Sequence, residues 1–277
     1  MSDFLIWYYP ILFLVIGLCV GSFVNVVLYR YPVMMMAGHS EKKLSLFYPP
    51  SHCTNCKNKI RKADNIPVIS WIILKGKCRH CNAGFSVRYM MTELVFGVVF
   101  LFMTVLYYPD HDVISISCFL ILFSFLYCVF FIDIKHFLIP DVMTFPLIIM
   151  GFVFSYFGFI SVTLTESVSG ALIIYAIVFF TGFLFKYFRG IDGIGFGDYK
   201  LFAAGGAWVG VFQIQYLIIF SSVFGCVFYI INKFKTISTA KNISHLDDIG
   251  ILKEYIIPFG PAICLSILSN VFINIFF

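Results

Sequence analysis

The chain has 277 residues, of which 61% are hydrophobic, 19% aromatic and only 12% charged, with a mean hydropathy of +0.95 and a formal net charge of +5. No soluble core needs so large an apolar fraction, so a water-soluble globular enzyme is excluded and a polytopic membrane protein is expected. The positive charge reads as an orientation signal, and no nucleic-acid partner is expected because no nucleic-acid fold pattern accompanies it.

Apolar runs of spanning length, about 20 residues at 1.5 Å rise each, lie at 5–28, 90–108, 113–132, 142–160, 168–188, 200–213, 214–232 and 255–276, the sixth and seventh abutting. The expected fold class is therefore all-α and polytopic, with eight transmembrane helices and a small zinc-binding cytoplasmic loop domain after the first. Residues 1–30 would form the first span, 31–89 the loop domain and 90–277 a seven-helix membrane core. The first run is too long and too thinly basic at its start for a cleaved signal peptide, and reads as a retained span. Eleven of the nineteen basic residues fall between Arg30 and Arg88, against only Glu41 and Asp64. Lys135, Lys186, Arg189, Lys200, Lys233, Lys235, Lys241 and Lys253 occupy every second connection thereafter, and the alternate connections carry none. By the positive-inside rule the 30–88 segment is cytoplasmic and both termini face the other side.

The first span ends GLCVGSFVNVVLYRYP. Gly17, Gly21 and Ser22 recur at helical spacing and make one face small enough for close helix approach. Asn25 on that helix needs a buried partner, and Arg30 with Pro32 marks the cytoplasmic exit. Cys53-x-x-Cys56 and Cys78-x-x-Cys81 follow, with twenty-one residues between the pairs. In a reducing compartment this spacing favours metal over disulfide. Two Cys-x-x-Cys knuckles complete a tetrahedral Zn²⁺ site that leaves no open position, so the metal would be structural and would supply folding free energy to a loop with little core. The rival reading is four unrelated thiols or a redox pair. Cys19, Cys118, Cys128, Cys226 and Cys264 are scattered through apolar spans and read as small buried hydrophobes.

Between the knuckles, NIPVISWIILKGKC reads as a short apolar hairpin that turns tightly at Gly76. RYMMTE then leads into the second span. Glu93 either complements the macrodipole near that helix's N-terminus or faces the bundle as a functional carboxylate. The third span ends at Asp133, in FFIDIKHFLIPD, where Lys135 and His136 offer one explanation as a boundary ion pair. Pro140 cannot continue a helix, and Asp141 reads as the N-cap of the fourth span. Asp198 closes GIGFGD, where Gly193, Gly195 and Gly197 allow close approach of another segment; a capping role is its ordinary alternative.

Sixty-four residues lie between Asp133 and Asp198, yet both belong to the same membrane face. Two nearby carboxyls cannot both ionise cheaply, so one keeps its proton. The ionised acid can take a proton from water attacking a peptide carbonyl, while the protonated one donates to the carbonyl oxygen and then to the leaving amine. No Ser–His or Cys–His arrangement and no HExxH pattern competes. The residues thus lead to an aspartyl peptidase at the cytoplasmic membrane boundary.

GSFVNVVLYRYP, the CTNC and CRHC pair, NIPVISW, LKGKC, FIDIKHFLIPD and GFGDYKL together resemble, in that order, the bacterial type IV prepilin peptidases, bifunctional leader peptidase/N-methyltransferases of the GxGD aspartic protease class. The resemblance spans about residues 15–205. It implies catalytic residues Asp133 and Asp198, supported by Gly195, Gly197 and Lys200, and zinc ligands Cys53, Cys56, Cys78 and Cys81. It implies removal of the basic leader of type IV prepilins or type II secretion pseudopilins, then N-methylation of the new terminus with S-adenosylmethionine. It also places the chain in the lipid of the bacterial inner membrane, with both termini periplasmic and with the zinc loop and active site cytoplasmic. No glycine-rich strand–turn–helix pattern marks a soluble S-adenosylmethionine domain, so the methyl-donor candidates are Gly76 and Glu93. Because leader and loop are both basic, local acids such as Asp141 or Glu41 would have to receive the leader's lysines. The alternatives are a leader peptidase without methyl transfer, a non-catalytic zinc-loop scaffold of a pilus or secretion machine, and an ion-coupled transporter using its membrane acids.

Overall fold

The computed structural model describes residues 2–36, 45–53, 55–108, 110–240 and 258–276. Glu41, Lys241 and Lys253 lie outside the described residues. The described residues are mostly helical: α1 (Ser2–Met36), α2 (Ile69–Ile73), α3 (Val87–Tyr107), α4 (Val113–His136), α5 (Asp141–Tyr156), α6 (Leu164–Arg189), α7 (Phe196–Val209), α8 (Ile214–Ala240) and α9 (Gly260–Phe276). Five segments among them are long and apolar enough to cross a membrane: Trp7–Met35, Val87–Tyr107, Val113–His136, Leu164–Arg189 and Val211–Ile231. This is a multi-pass helical membrane protein. Helices α5 and α9, with 16 and 17 residues, and α7, with 14, fall short of a full crossing by length.

The chain forms two compact units, residues 1–120 and 121–277. In the first, α1 packs along α3 through the small-residue face expected from sequence. A methyl group added at Gly17 would lie 2.6 Å from the Phe96 carbonyl oxygen, and one at Gly21 would lie 2.9 Å from Glu93 Cα. Only hydrogen fits where the two backbones meet so closely. Asn25 finds its partner across the same contact, donating from Nδ2 to the Tyr89 carbonyl at 3.0 Å. Helix α1 runs through Pro32 to Met36, farther than expected, because a proline late in a long helix removes one ladder bond without removing the rest. Arg30 does more than mark an exit. It is buried, and its guanidinium donates to the carbonyls of Ser45, Leu46 and Pro49 at 3.0, 3.3 and 2.6 Å.

The segment NIPVISWIILKGKC is not a hairpin. Its apolar core coils into the five-residue helix α2, entered through Val68 at φ +61° and left through Lys75 and Gly76 at φ +50° and +67°. Positive-φ residues at both ends turn the chain back without a second strand.

In the second unit, α7 is the innermost helix: Tyr199 and every residue from Leu201 to Val209 are buried. The sequence FAAGGAW explains this, since its small side chains let neighbours close on all sides. A methyl at Gly206 would meet the Gly170 carbonyl of α6 at 2.5 Å, one at Gly151 of α5 the Ala207 Cβ at 2.9 Å, and one at Gly205 the Ile267 side chain of α9 at 2.8 Å. Polar pins cross the same contacts. Trp208 Nε1 donates to the Leu147 carbonyl at 2.8 Å, and the Ser167 hydroxyl donates to the Ala207 carbonyl at 2.5 Å. Gly210, at φ +80°, turns α7 into a single 3₁₀ turn, Val211–Gln213, that leads to α8. Of the five scattered cysteines, Cys118, Cys128 and Cys264 are buried as expected. Cys19 and Cys226 face outward instead, a position that a membrane helix tolerates because lipid is as apolar as the interior.

Candidate active site and metal centre

The four paired cysteines converge. Their sulfurs lie within 4.8 Å of one another, with Cys53 to Cys81 at 3.7 Å and Cys56 to Cys78 at 3.9 Å. Four sulfurs at tetrahedral corners about 2.3 Å from a zinc ion stand roughly 3.8 Å apart, so the cluster has the dimensions of a Cys₄ metal site. The two knuckles are built alike. His52 bridges Lys59, and Lys77 bridges Gly84, each seven residues on. Lys57 and Asn82, each directly after a second cysteine, take the left-handed conformation at φ +58° and +56°. The amide nitrogens of Lys57 and Asn82 donate to the carbonyls of Cys53 and Cys78, both at 3.0 Å.

Backbone N–H groups of Cys56 and Asn55 hold the Cys53 thiol down at about 6, and the N–H of Ala83 lowers Cys81. Cys56 also receives a backbone N–H, from Asn58, but burial and the neighbouring thiols push it up to about 11. Four sulfurs this close cannot all ionise without a cation, which a dication would correct. Arg79 pins the second knuckle, donating from Nε to Asp64 Oδ2 at 2.9 Å.

Beside this module, and within the same unit, lies a cavity of about 540 Å³ whose walls include Asn25, Arg30, Trp71, Gly76, Tyr89 and Glu93. Gly76 lies against the Trp71 ring, where a methyl group would sit 2.8 Å from Cζ2. Trp71 Nε1 is buried with no hydrogen-bond partner among the described residues. Glu93 lies in the second turn of α3, past the first turn where the macrodipole acts, and its Oε2 accepts the Val68 N–H at 2.7 Å. The sequence reading offered Gly76 and Glu93 as a pair. The structure brings them into one cavity and adds Trp71, Asn25 and Arg30. The signal for Trp71 was available: a lone tryptophan in a polar loop needs both a cover and an acceptor.

In the second unit three segments meet. Asp133, in the last turn of α4, is only 5% exposed, and its Oδ2 accepts the Gly260 N–H at 3.0 Å. Asp198, half-buried in the first turn of α7, accepts the Gly195 N–H on its Oδ2 at 3.3 Å. Each acid thus has an oxygen tied to a backbone amide. The two carboxyls lie within electrostatic reach of each other, and the buried Cys264 lies within reach of both.

Ile139 wedges the arrangement. A methyl at Gly197 would meet its Cβ at 2.8 Å, and one at Gly260 would meet Asp133 Oδ2 at 2.6 Å and Ile139 Cδ1 at 3.2 Å. Gly197 therefore serves contact, whereas a methyl at Gly195 would meet only Asp198 Oδ2 of its own turn, at 3.2 Å. Gly260 was missed from sequence; its signal was the Pro-Phe-Gly-Pro run opening the last helix, a break placed by proline on both sides.

Asp141 does not cap α5. Pro140 holds the cap position, Asp141 is the first helical residue, and its carboxylate accepts Lys200 Nζ at 2.7 and 2.8 Å. The lysine wins because Asp141 points across to α7, and Lys200 also lies over the Phe145 ring at 5.5 Å. This half-exposed pair joins the start of α5 to the start of α7, two residues from Asp198.

Fold and site define a multi-pass helical membrane protein with a four-cysteine module in one unit and two carboxyls within electrostatic reach, one buried and one half-buried, in the other. Residues 15–107 match the Bacterial Peptidase A24 N-terminal domain and residues 120–230 the Type IV leader peptidase family. The chain is 33% identical over 268 residues to the prepilin leader peptidase/N-methyltransferase of Dichelobacter nodosus, covering 90% of this chain and 86% of that protein. It is 39% identical over 228 residues to the protein of that name from Neisseria gonorrhoeae, covering 77% and 78%. It is also 32% identical over 281 residues to the type 4 prepilin-like proteins leader peptide-processing enzyme of Escherichia coli O78:H11 (strain H10407 / ETEC), covering 97% and 95%. No solved structure matches. The chain belongs to the type IV leader peptidase family and is an enzyme of that family.

Proposed function

We propose that this enzyme removes the leader peptides of type IV prepilins or type II secretion pseudopilins at the cytoplasmic face of the inner membrane and then N-methylates the exposed terminus. The observation that supports the peptidase half is that Asp133 and Asp198 lie within electrostatic reach of each other, each with one oxygen held by a backbone amide. One carboxylate takes a proton from water as the water oxygen bonds to the scissile carbonyl carbon. The other, protonated, donates to the developing oxyanion. Collapse of the tetrahedral intermediate breaks the C–N bond, and the amine leaves with a proton from the dyad. Gly197 lets the α7 turn approach Ile139, and the Lys200–Asp141 pair fixes its register. Asp141, half-exposed but paired with Lys200, would receive a leader lysine by exchange with Lys200.

The cysteine cluster is proposed to hold one structural Zn²⁺ through Cys53, Cys56, Cys78 and Cys81, since the sulfur spacing fits and four thiolates leave no open position. The cavity beside it is proposed to receive S-adenosylmethionine, with Trp71 Nε1 and Glu93 as the polar groups that fit it. That donor supplies an electrophilic methyl group. This chain's part is to orient it against Gly76 and to shield it from water. Residues 31–89 act as the zinc loop domain on the first span, and residues 90–277 as the membrane peptidase core. The short helices α5, α7 and α9 complete eight membrane segments, their lengths made sufficient by burial within the second unit. The alternation of Lys and Arg between connections supports cytoplasmic placement of loop and site, with both termini periplasmic.

Purified protein given a prepilin and labelled S-adenosylmethionine tests the whole reading. Cleavage with label on the new terminus is expected. Cleavage without label leaves a single-activity peptidase, and neither event leaves a scaffold or a transporter.

A further inference from the structure

Helix α2 buries one side and leaves the other bare. Ser70 is buried and the Trp71 ring lies against Gly76, while Ile69, Ile72 and Ile73 are 53%, 60% and 69% exposed. Residues at i, i+3 and i+4 share a helix face, so the three isoleucines form one apolar strip, extended by the exposed Ile66. A small polar module gains nothing from showing that surface to water.

The segments that flank α2 along the chain are positive. Arg61, Lys75 and Lys77 are exposed there, while the acids on either side are already engaged, Glu93 by the Val68 N–H and Asp64 by Arg79. The depth of the strip is also fixed. The Val68 N–H on Glu93 Oε2 ties the start of α2 to a residue six positions past the first of α3, about 9 Å along that helix axis. From Leu94 onward α3 carries no charged residue, so α2 lies level with the point where the span becomes wholly apolar. Met91 and Val95 of α3 are exposed at the same level.

We propose that α2 is an interfacial anchor. Its isoleucine face enters the acyl boundary of the surrounding leaflet, while Arg61, Lys75 and Lys77 meet anionic phospholipid headgroups. The strip, its basic flanks and its depth argue for lipid over a protein partner. This anchor is independent of the peptidase chemistry.

The test uses the full-length protein in nanodiscs, with p-benzoylphenylalanine replacing Ile72 or Ile73, and replacing the exposed Lys59 as reference. In phosphatidylglycerol discs, irradiation is expected to give phospholipid adducts several-fold more abundant at 72 and 73 than at 59, falling when phosphatidylcholine replaces phosphatidylglycerol. Equal yields at all three positions, or adducts to a second copy of the chain or to added prepilin in place of lipid, overturn the proposal. Yields indifferent to headgroup charge overturn its electrostatic half. Hydrogen exchange on the unmodified protein gives a second readout free of any folding defect. The amides of residues 69–74 should exchange several-fold more slowly in phosphatidylglycerol than in phosphatidylcholine discs, and equal rates count against the anchor.

Discussion

Gly76→Ala isolates the loop cavity from the carboxyl pair. Gly76 holds φ +67°, a conformation that costs an L-residue with a Cβ about 1–2 kcal/mol. The new methyl would sit 2.8 Å from Trp71 Cζ2 and 2.9 Å from Cε2, and overpacking of that kind costs about 1–3 kcal/mol. The sum, roughly 2–5 kcal/mol, is most cheaply relieved by moving the turn and the Trp71 ring. That ring carries the Nε1 that has no partner among the described residues, in the wall of the proposed methyl-donor cavity. Methyl transfer should therefore fall by at least about tenfold, since 1.4 kcal/mol already corresponds to that factor. Leader cleavage should stay near the unsubstituted rate, because Gly76 and the two aspartates belong to different units. The control is Gly84→Ala, where among the described residues no atom beyond the chain neighbours lies within 4 Å of the added methyl, and it should keep both activities. The assay follows cleavage by gel mobility and methylation by label on the same sample. Normal methylation by Gly76→Ala, or equal loss in Gly84→Ala, would refute the reasoning.

Metal analysis of the purified chain should give about one Zn²⁺ per molecule, lost in a quadruple Cys53/Cys56/Cys78/Cys81→Ser variant; retention of zinc there would remove the cluster as its site. Asp141→Asn should cost less cleavage than substitution of either Asp133 or Asp198, and the charge-exchanged pair D141K/K200D should recover part of the activity lost by D141K alone. Equal loss in Asp141→Asn and Asp133→Asn would shift the catalytic role within the DIKHFLIPD segment. Gly206→Val should lower thermal stability in detergent by about 2 kcal/mol or more, since its side chain overlaps the Gly170 carbonyl, and an unchanged melting temperature would mean that α6 and α7 can separate cheaply.

Much of this architecture was legible because membrane helices obey few rules. The Gly17–Gly21 face, the need of Asn25 for a partner and the two Cys-x-x-Cys knuckles each follow from local chemistry, and each has its counterpart in the structure. What stayed hidden depends on partners distant in sequence. Nothing near Asp133 announces that its carboxyl will take the amide of Gly260, 127 positions away. Nothing near Asp141 shows that Lys200 will claim the carboxylate expected to cap its own helix. The α2 helix escaped a periodicity reading because five residues are too few to display a period. Its form depends on positive-φ turns at Val68, Lys75 and Gly76, of which only the glycine was a visible candidate. Arg30 looked like a boundary charge, and its capture of three loop carbonyls could be seen only once that loop had folded back on α1.

The central claim is that hydrolysis needs both Asp133 and Asp198 and nothing else of their kind. Asp133→Asn and Asp198→Asn, made separately, keep size and hydrogen-bonding shape while removing the ability to ionise. Incubated with a purified prepilin, each is predicted to leave the leader uncleaved while melting at the temperature of the unsubstituted protein. Normal processing by either variant would contradict the account.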